Sequence, residues 1–107
     1  MKWISLLAAL LLFGCSYPGR NECNVLALEY RARIKVALPE SNPRVLALYS
    51  QEAGHAVTVY ETPDSTVVQV PYAGAFYFAG TDIPTYTLMT LLNKRLHRHY
   101  TWAVWVL

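Results

Sequence analysis

The N-terminal segment constrains this chain more than any other feature, because it sets how many residues remain to fold. Lys2 places a positive charge ahead of a predominantly apolar run from Trp3 to Phe13, and the small residue Gly14 follows. This pattern is typical of a signal peptide, and the run is shorter than the roughly 20 residues of a transmembrane helix. Removal of residues 1–14 would leave 15–107, which suffices for one small domain and leaves no room for a second.

The residues at the cleavage point predict a lipid anchor. Leu12-Phe13-Gly14-Cys15 resembles the lipobox of bacterial lipoproteins, although Phe13 departs from the usual small or aliphatic residue. The resemblance implies that Cys15 is lipidated and becomes the mature N-terminus. It also implies a membrane-anchored protein of the cell envelope, at the periplasmic face of the outer membrane where the organism has two membranes. Ordinary secretion and an uncleaved anchor are the alternatives.

The chain contains two cysteines, and the state of Cys23 depends on that of Cys15. If Cys15 carries lipid, Cys23 is a lone thiol in an oxidising compartment, either reactive or buried and inert. If the signal is cut elsewhere, the two cysteines can form a disulfide in an unrelated secreted domain.

Charge and motifs exclude several classes of function. The formal net charge is only +2, and the basic residues are dispersed apart from Lys94, Arg95 and Arg98, so no nucleic-acid partner is predicted. His97 and His99 lack a visible third ligand, so no metal site is predicted. We find no phosphate-binding loop, dinucleotide fingerprint or serine nucleophile elbow, and no cofactor is predicted.

The pattern after the signal predicts a tether over residues 15–20 and one domain over 21–107. Asn21 is a candidate N-cap for an amphipathic helix that Pro39 ends. Its apolar residues recur at helical spacing, and Glu29 and Arg33 are spaced for an ion pair. The apolar positions are Cys23, Leu26, Tyr30, Ile34 and Leu38.

The rest of the domain alternates between strand and helix patterns, so the predicted fold class is α+β, with a helix followed by an antiparallel sheet and a second helix. Strands are predicted over 44–50, 55–61, 66–72 and 100–107, and a helix from near Pro84 with Asp82 as its cap. Residues 73–81 are left open between strand and loop. Aromatic residues near this segment fit a core better than a substrate-binding wall. They are Tyr72, Phe76, Tyr77 and Phe78.

Two residues carry the strongest chemical prediction. Cys23 falls near the start of the first helix, where unpaired N–H groups and the helix dipole lower a thiol pKa. His55 opens a strand directly after Gly54 and can act as the general base for such a thiol.

The segments around these residues resemble the bacterial transglutaminase-like cysteine proteinases. The segments are Gly19-Arg20-Asn21-Glu22-Cys23-Asn24-Val25-Leu26-Ala27-Leu28, Gly54-His55-Ala56-Val57 and Thr62-Pro63-Asp64. The resemblance implies a fold similar to papain and transglutaminases, with Cys23 as nucleophile and His55 as base. It implies a thiol hydrolase or acyltransferase that acts on peptide or amide bonds.

The third member of the expected triad is not in its usual place. Val70 stands where the family's orienting Asp is expected. Gln69 could replace it if a β-bulge shifts the register, and otherwise points to the opposite face. Asp82 is a second candidate, a Cys-His dyad is a third arrangement, and the Asn21 side chain could add an oxyanion donor. The incomplete triad keeps open a non-catalytic envelope lipoprotein that acts as a protein-binding module.

Overall fold

The computed structural model describes residues 23–51 and 53–107, so the predicted signal peptide (1–14), tether (15–20) and Asn21 lie outside the described residues. The described residues form the predicted α+β domain, with a helix, an antiparallel sheet and a second helix. In chain order the elements are α1 (Cys23–Ala37), a 3-10 helix (Pro39–Ser41), β1 (Arg44–Tyr49), β2 (Gly54–Glu61), β3 (Ser65–Val70), β4 (Gly74–Ala79), α2 (Thr85–Leu96) and β5 (Trp102–Trp105).

All five strands pair antiparallel in the order β4-β3-β2-β1-β5. The segment that the sequence left open is β4, at one edge of the sheet. β5 occupies the other edge and is shorter than predicted. Tyr100, two residues before β5, lies outside the strand, where the side chain of Asn93 donates to its carbonyl oxygen and accepts from its N–H.

The two helices cover opposite faces of the sheet. The larger core cluster joins α2 to β1, β2 and β3 through Leu88, Leu46 and Val57, among others. The smaller cluster joins α1 to β1 and β2 through Ala27 and Ala56. Because side chains alternate along a strand, odd-numbered residues of β2 face α2 and even-numbered residues face α1.

The contact between α1 and the sheet is centred on a small residue. Thr58 Oγ1 donates a buried hydrogen bond of 2.6 Å to the carbonyl oxygen of Ala27, which has no exposed surface. The predicted apolar stripe is therefore rotated away from the centre of this contact, and Leu26 and Tyr30 are only half-buried. The predicted pair of Glu29 and Arg33 is present, at 2.6 Å on the exposed side.

α1 runs in the same direction as β2. Ala27, early in the helix, contacts Thr58, and Leu38, just after the helix, lines a cleft with Glu61 at the end of β2. The first residue of α1 therefore lies toward the end of the sheet where β2 begins. No described helix has both the length and the hydropathy needed to cross a membrane.

Candidate functional site

Cys23 is the first residue of α1 within the described residues, and its sulfur is in a disulfide. The side chain has 0% of its surface exposed. The only other cysteine of the sequence, Cys15, lies outside the described residues. A disulfide sulfur is not a thiolate, so the oxidised form of Cys23 carries no nucleophile.

His55 is the second residue of β2 and is 4% exposed. Its cross-strand partner is Leu48, and Leu48 belongs to the core on the α2 side. Cross-strand partners point to the same face, so His55 also faces α2. Cys23 belongs to the helix on the other face, and the sheet separates the two residues.

The electrostatic environment of His55 favours the neutral imidazole. Burial, and secondarily the positive charge of Arg98, lowers its pKa from 6.5 to about 4. An imidazole with this pKa is neutral at pH 7 and is a weak base. The effect of Arg98 agrees with the position of His55 on the α2 side, since Arg98 follows that helix.

The structure does not bring Gln69 to His55. Gln69 pairs with Thr58, and the register of β3 with β2 continues regularly from there to Glu61, with no bulge. Gln69 consequently shares the α1 face with Thr58, which is the outcome that the sequence analysis gave for an unshifted register. Val70 faces α2 and is buried in the larger core.

The second candidate, Asp82, lies at the wrong end of the sheet to orient His55. Its N–H donates to Glu61 Oε2 at 2.7 Å, and Glu61 is the last residue of β2. At about 3.3 Å per residue, the six positions from His55 to Glu61 span roughly 20 Å. Asn21, the proposed oxyanion donor, lies outside the described residues.

The four aromatic residues at and near β4 lie on different surfaces of the domain. Phe76 and Phe78 pack on the α2 side of β4, whereas Tyr77 between them is 63% exposed. Tyr72 lies in the turn before β4 and is 44% exposed. The four aromatic residues therefore do not form one wall.

The described residues line surface depressions at both ends of the sheet. A cleft of about 500 Å³ lies between the end of α1 and the β2–β3 turn, and its lining includes Glu40 and Glu61. A second, of about 450 Å³, is lined by Asn93, Lys94, His97, Arg98 and His99. No group of three or more His, Cys, Asp or Glu residues within the described ranges could hold a metal ion. Four of the five residues that line the second depression are basic or histidine, and the sequence alone did not predict that they would form a depression.

Comparisons with known proteins provide no relative. No family model, curated protein or solved structure matches this chain. Neither the fold nor the site can therefore be assigned to a family by similarity.

Proposed function

We propose that this protein is a non-catalytic domain of the bacterial cell envelope that acts by binding a protein or peptide partner. The observation that carries the proposal is the placement of Cys23 and His55 on opposite faces of the sheet, with Cys23 in a disulfide. A thiol attack on a peptide bond needs a thiolate and a base within hydrogen-bond reach of each other. This arrangement supplies neither.

The outer edge of β4 is the element best suited to bind a peptide. Within the described residues no strand pairs with that edge, and four of the six residues of β4 are exposed. An open edge strand can add an extended peptide through main-chain hydrogen bonds. Tyr77, on the exposed side of β4, offers an aromatic contact to the side chains of such a peptide.

The proposal that the chain is exported to the envelope rests on the N-terminal signal. After export, Cys15 can be lipidated or can form a disulfide with Cys23. Lipidation of Cys15 and a disulfide with Cys23 exclude each other, because both use the Cys15 sulfur. The lipobox supports the first form and the oxidised state of Cys23 supports the second. Mass spectrometry of the N-terminal peptide of the exported protein distinguishes them, since only the first form carries acyl chains.

The second candidate function is the thiol hydrolase, which the resemblance to the cysteine proteinases implies. Two placements favour it: Cys23 opens α1 and the Gly54-His55 pair opens β2. The activity would require reduction of the disulfide and a shift of β2 by one residue, which would turn His55 to the face that α1 covers.

Thiol labelling tests the two functions against each other. We expect the oxidised protein to resist a thiol-reactive probe at Cys23. After reduction, labelling at neutral pH should be no faster than in an unfolded control and unchanged by His55→Ala. His99→Ala, which alters an exposed histidine, is the matched control. Fast labelling that His55→Ala abolishes and His99→Ala leaves intact would contradict the non-catalytic proposal.

A further inference from the structure

Four of the five Asp and Glu side chains of the described residues lie at one end of the sheet, which we call the acidic end. Glu61 closes β2 there, and Glu40 lines the same cleft. Asp82 donates its N–H to Glu61, and Asp64 lies in the turn after β2. The remaining described carboxylate, Glu29, is paired with Arg33. Glu22 and Glu52 lie outside the described residues.

A group of five basic and histidine side chains lies at the opposite end, which we call the basic end, whereas Arg31, Arg33, Lys35 and Arg44 lie elsewhere on the domain. Lys94 and Arg95 occupy the last turn of α2, and His97, Arg98 and His99 follow in the loop. All five are exposed, and four of them line the depression of about 450 Å³. Among the described residues, the three Lys and Arg side chains form no ion pair, so their charge is not compensated locally.

Hydrogen bonds fix this loop to the end of the sheet where β2 begins. Thr101 donates its N–H to the carbonyl oxygen of Tyr49, the last residue of β1, at 2.8 Å. The Asn93 side chain holds the backbone of Tyr100 by two further bonds. These three hydrogen bonds hold the segment that carries the basic side chains in place.

The start of α1 lies toward the basic end. α1 ends beside Glu61 at the acidic end, so its first residue, Cys23, lies toward the other end. Eight residues of extended chain from Cys15 to Cys23 reach at most about 28 Å. A lipid on Cys15 would thus keep the basic end near the membrane surface. Trp102, 54% exposed just after the basic loop, is a residue type favoured at membrane interfaces.

We propose that the basic end is a docking surface for the anionic phospholipid headgroups of the membrane. Phosphate oxygens accept hydrogen bonds from Lys and Arg, and a guanidinium such as that of Arg98 can engage two oxygens at once. The contact is electrostatic and weakens as salt is added. The inference rests on export of the chain to the envelope but not on the absence of catalysis. The lipid that would hold the basic end near the membrane belongs to the form in which Cys15 and Cys23 are not joined in a disulfide.

Vesicle binding by the exported chain, residues 15–107, tests this surface. Both core clusters consist of residues between 27 and 107, so this chain retains the complete core. We expect binding to vesicles of phosphatidylcholine with phosphatidylglycerol, little binding to phosphatidylcholine alone, and release by added salt. Lys94→Gln with Arg98→Gln should weaken binding about 25-fold, since each basic residue near an anionic surface contributes about five-fold.

A matched pair on α1, Arg33→Gln with Lys35→Gln, removes the same charge from another surface and should change binding by less than about three-fold. Circular dichroism shows whether both double variants fold. The release of the unaltered chain from vesicles by salt is a further test, which needs no variant. Equal binding to the two vesicle types, or equal loss in the two pairs, would overturn the proposal. Either result leaves the protein-binding function standing, because that function uses β4.

Discussion

Thr58 on β2 and Ala27 on α1 are joined by a buried hydrogen bond of 2.6 Å, in which the Thr58 hydroxyl donates to the Ala27 carbonyl oxygen. This bond fixes the face of the sheet that α1 covers. His55 lies three positions before Thr58 on the same strand, so its side chain points to the other face. Because this hydrogen bond holds α1 on the face opposite to His55, the sheet lies between His55 and the helix that carries Cys23.

Thr58→Val should lower the free energy of unfolding by about 1 to 2 kcal/mol. Valine preserves the shape of the side chain but removes the donor to the Ala27 carbonyl in a buried contact. Urea denaturation measures the change. Thr90→Val, which alters an exposed threonine of α2, is the control and should cost less than about 0.5 kcal/mol. A similar small effect at both positions would show that the buried bond does not hold α1 in place.

The stability of the domain should depend on pH through His55. Its pKa is about 4 in the folded protein and 6.5 in the unfolded chain, so the unfolded state binds the proton first as pH falls. The stabilisation that neutral His55 gives to the folded state is fully present above pH 6.5 and is lost progressively as pH falls to about 4. The loss amounts to about 3 kcal/mol. It is measured as the difference in unfolding free energy between the protein and His55→Gln at each pH.

The substitution Arg98→Gln distinguishes the two causes of the lowered His55 pKa, which are burial and the positive charge of Arg98. Removal of the positive charge should raise the pKa of His55 and leave it below 6.5, because burial remains the larger cause. Titration of the imidazole C–H signal by NMR reports the value directly. An unchanged titration in Arg98→Gln would place the Arg98 charge too far from His55 to act on it.

Asn93→Ala should loosen the loop that carries the basic side chains. The substitution removes both hydrogen bonds to Tyr100 and leaves two backbone groups without these partners, at a cost of about 2 to 3 kcal/mol. Hydrogen exchange should become faster at residues 97–101 and stay unchanged in β3. Asn93→Asp keeps the acceptor and loses the donor, so an intermediate effect is expected. Protection of residues 97–101 that survives both variants would contradict this account.

His97→Gly should stabilise the domain by about 1 kcal/mol. His97 ends α2 in the left-handed conformation, with φ 54° and ψ 47°, and its N–H donates to the carbonyl oxygen of Asn93. Glycine adopts this conformation without the strain that a Cβ atom causes. His99→Gly, at a position without positive φ, should not stabilise. The thermal midpoints of the two variants provide the comparison.

Local sequence chemistry was sufficient to predict the secondary structure of most of the domain. Pro39 stops α1 because it lacks an N–H and clashes with the preceding turn, and the helix ends at Ala37. The Thr62-Pro63-Asp64 turn separates β2 from β3 as predicted. The alternation of Phe76 and Phe78 with exposed neighbours in β4 is also a strand pattern, but glycine and alanine weaken it.

The face occupied by His55 could not be predicted in the same way. β2 lies at the centre of the sheet and is covered by a helix on each side, so both sets of alternating residues are buried from Gly54 to Val59. Periodicity distinguishes a buried face from an exposed one, and it carries no information when both faces are buried. The position of α1 depends instead on Ala27 and Thr58, which no local pattern singles out.

The position of β5 has a consequence for how the chain would acquire its structure if it is exported as we propose. β5 pairs with β1, but all of β2, β3, β4 and α2 lie between them in the chain. A polypeptide threaded through a membrane from its N-terminus would present β1 with one open hydrogen-bonding edge until residues 102–105 emerge. Such an edge is prone to aggregation. Completion of the sheet therefore depends on a late, non-local pairing, and the fold can close only after residues 102–105 have crossed the membrane.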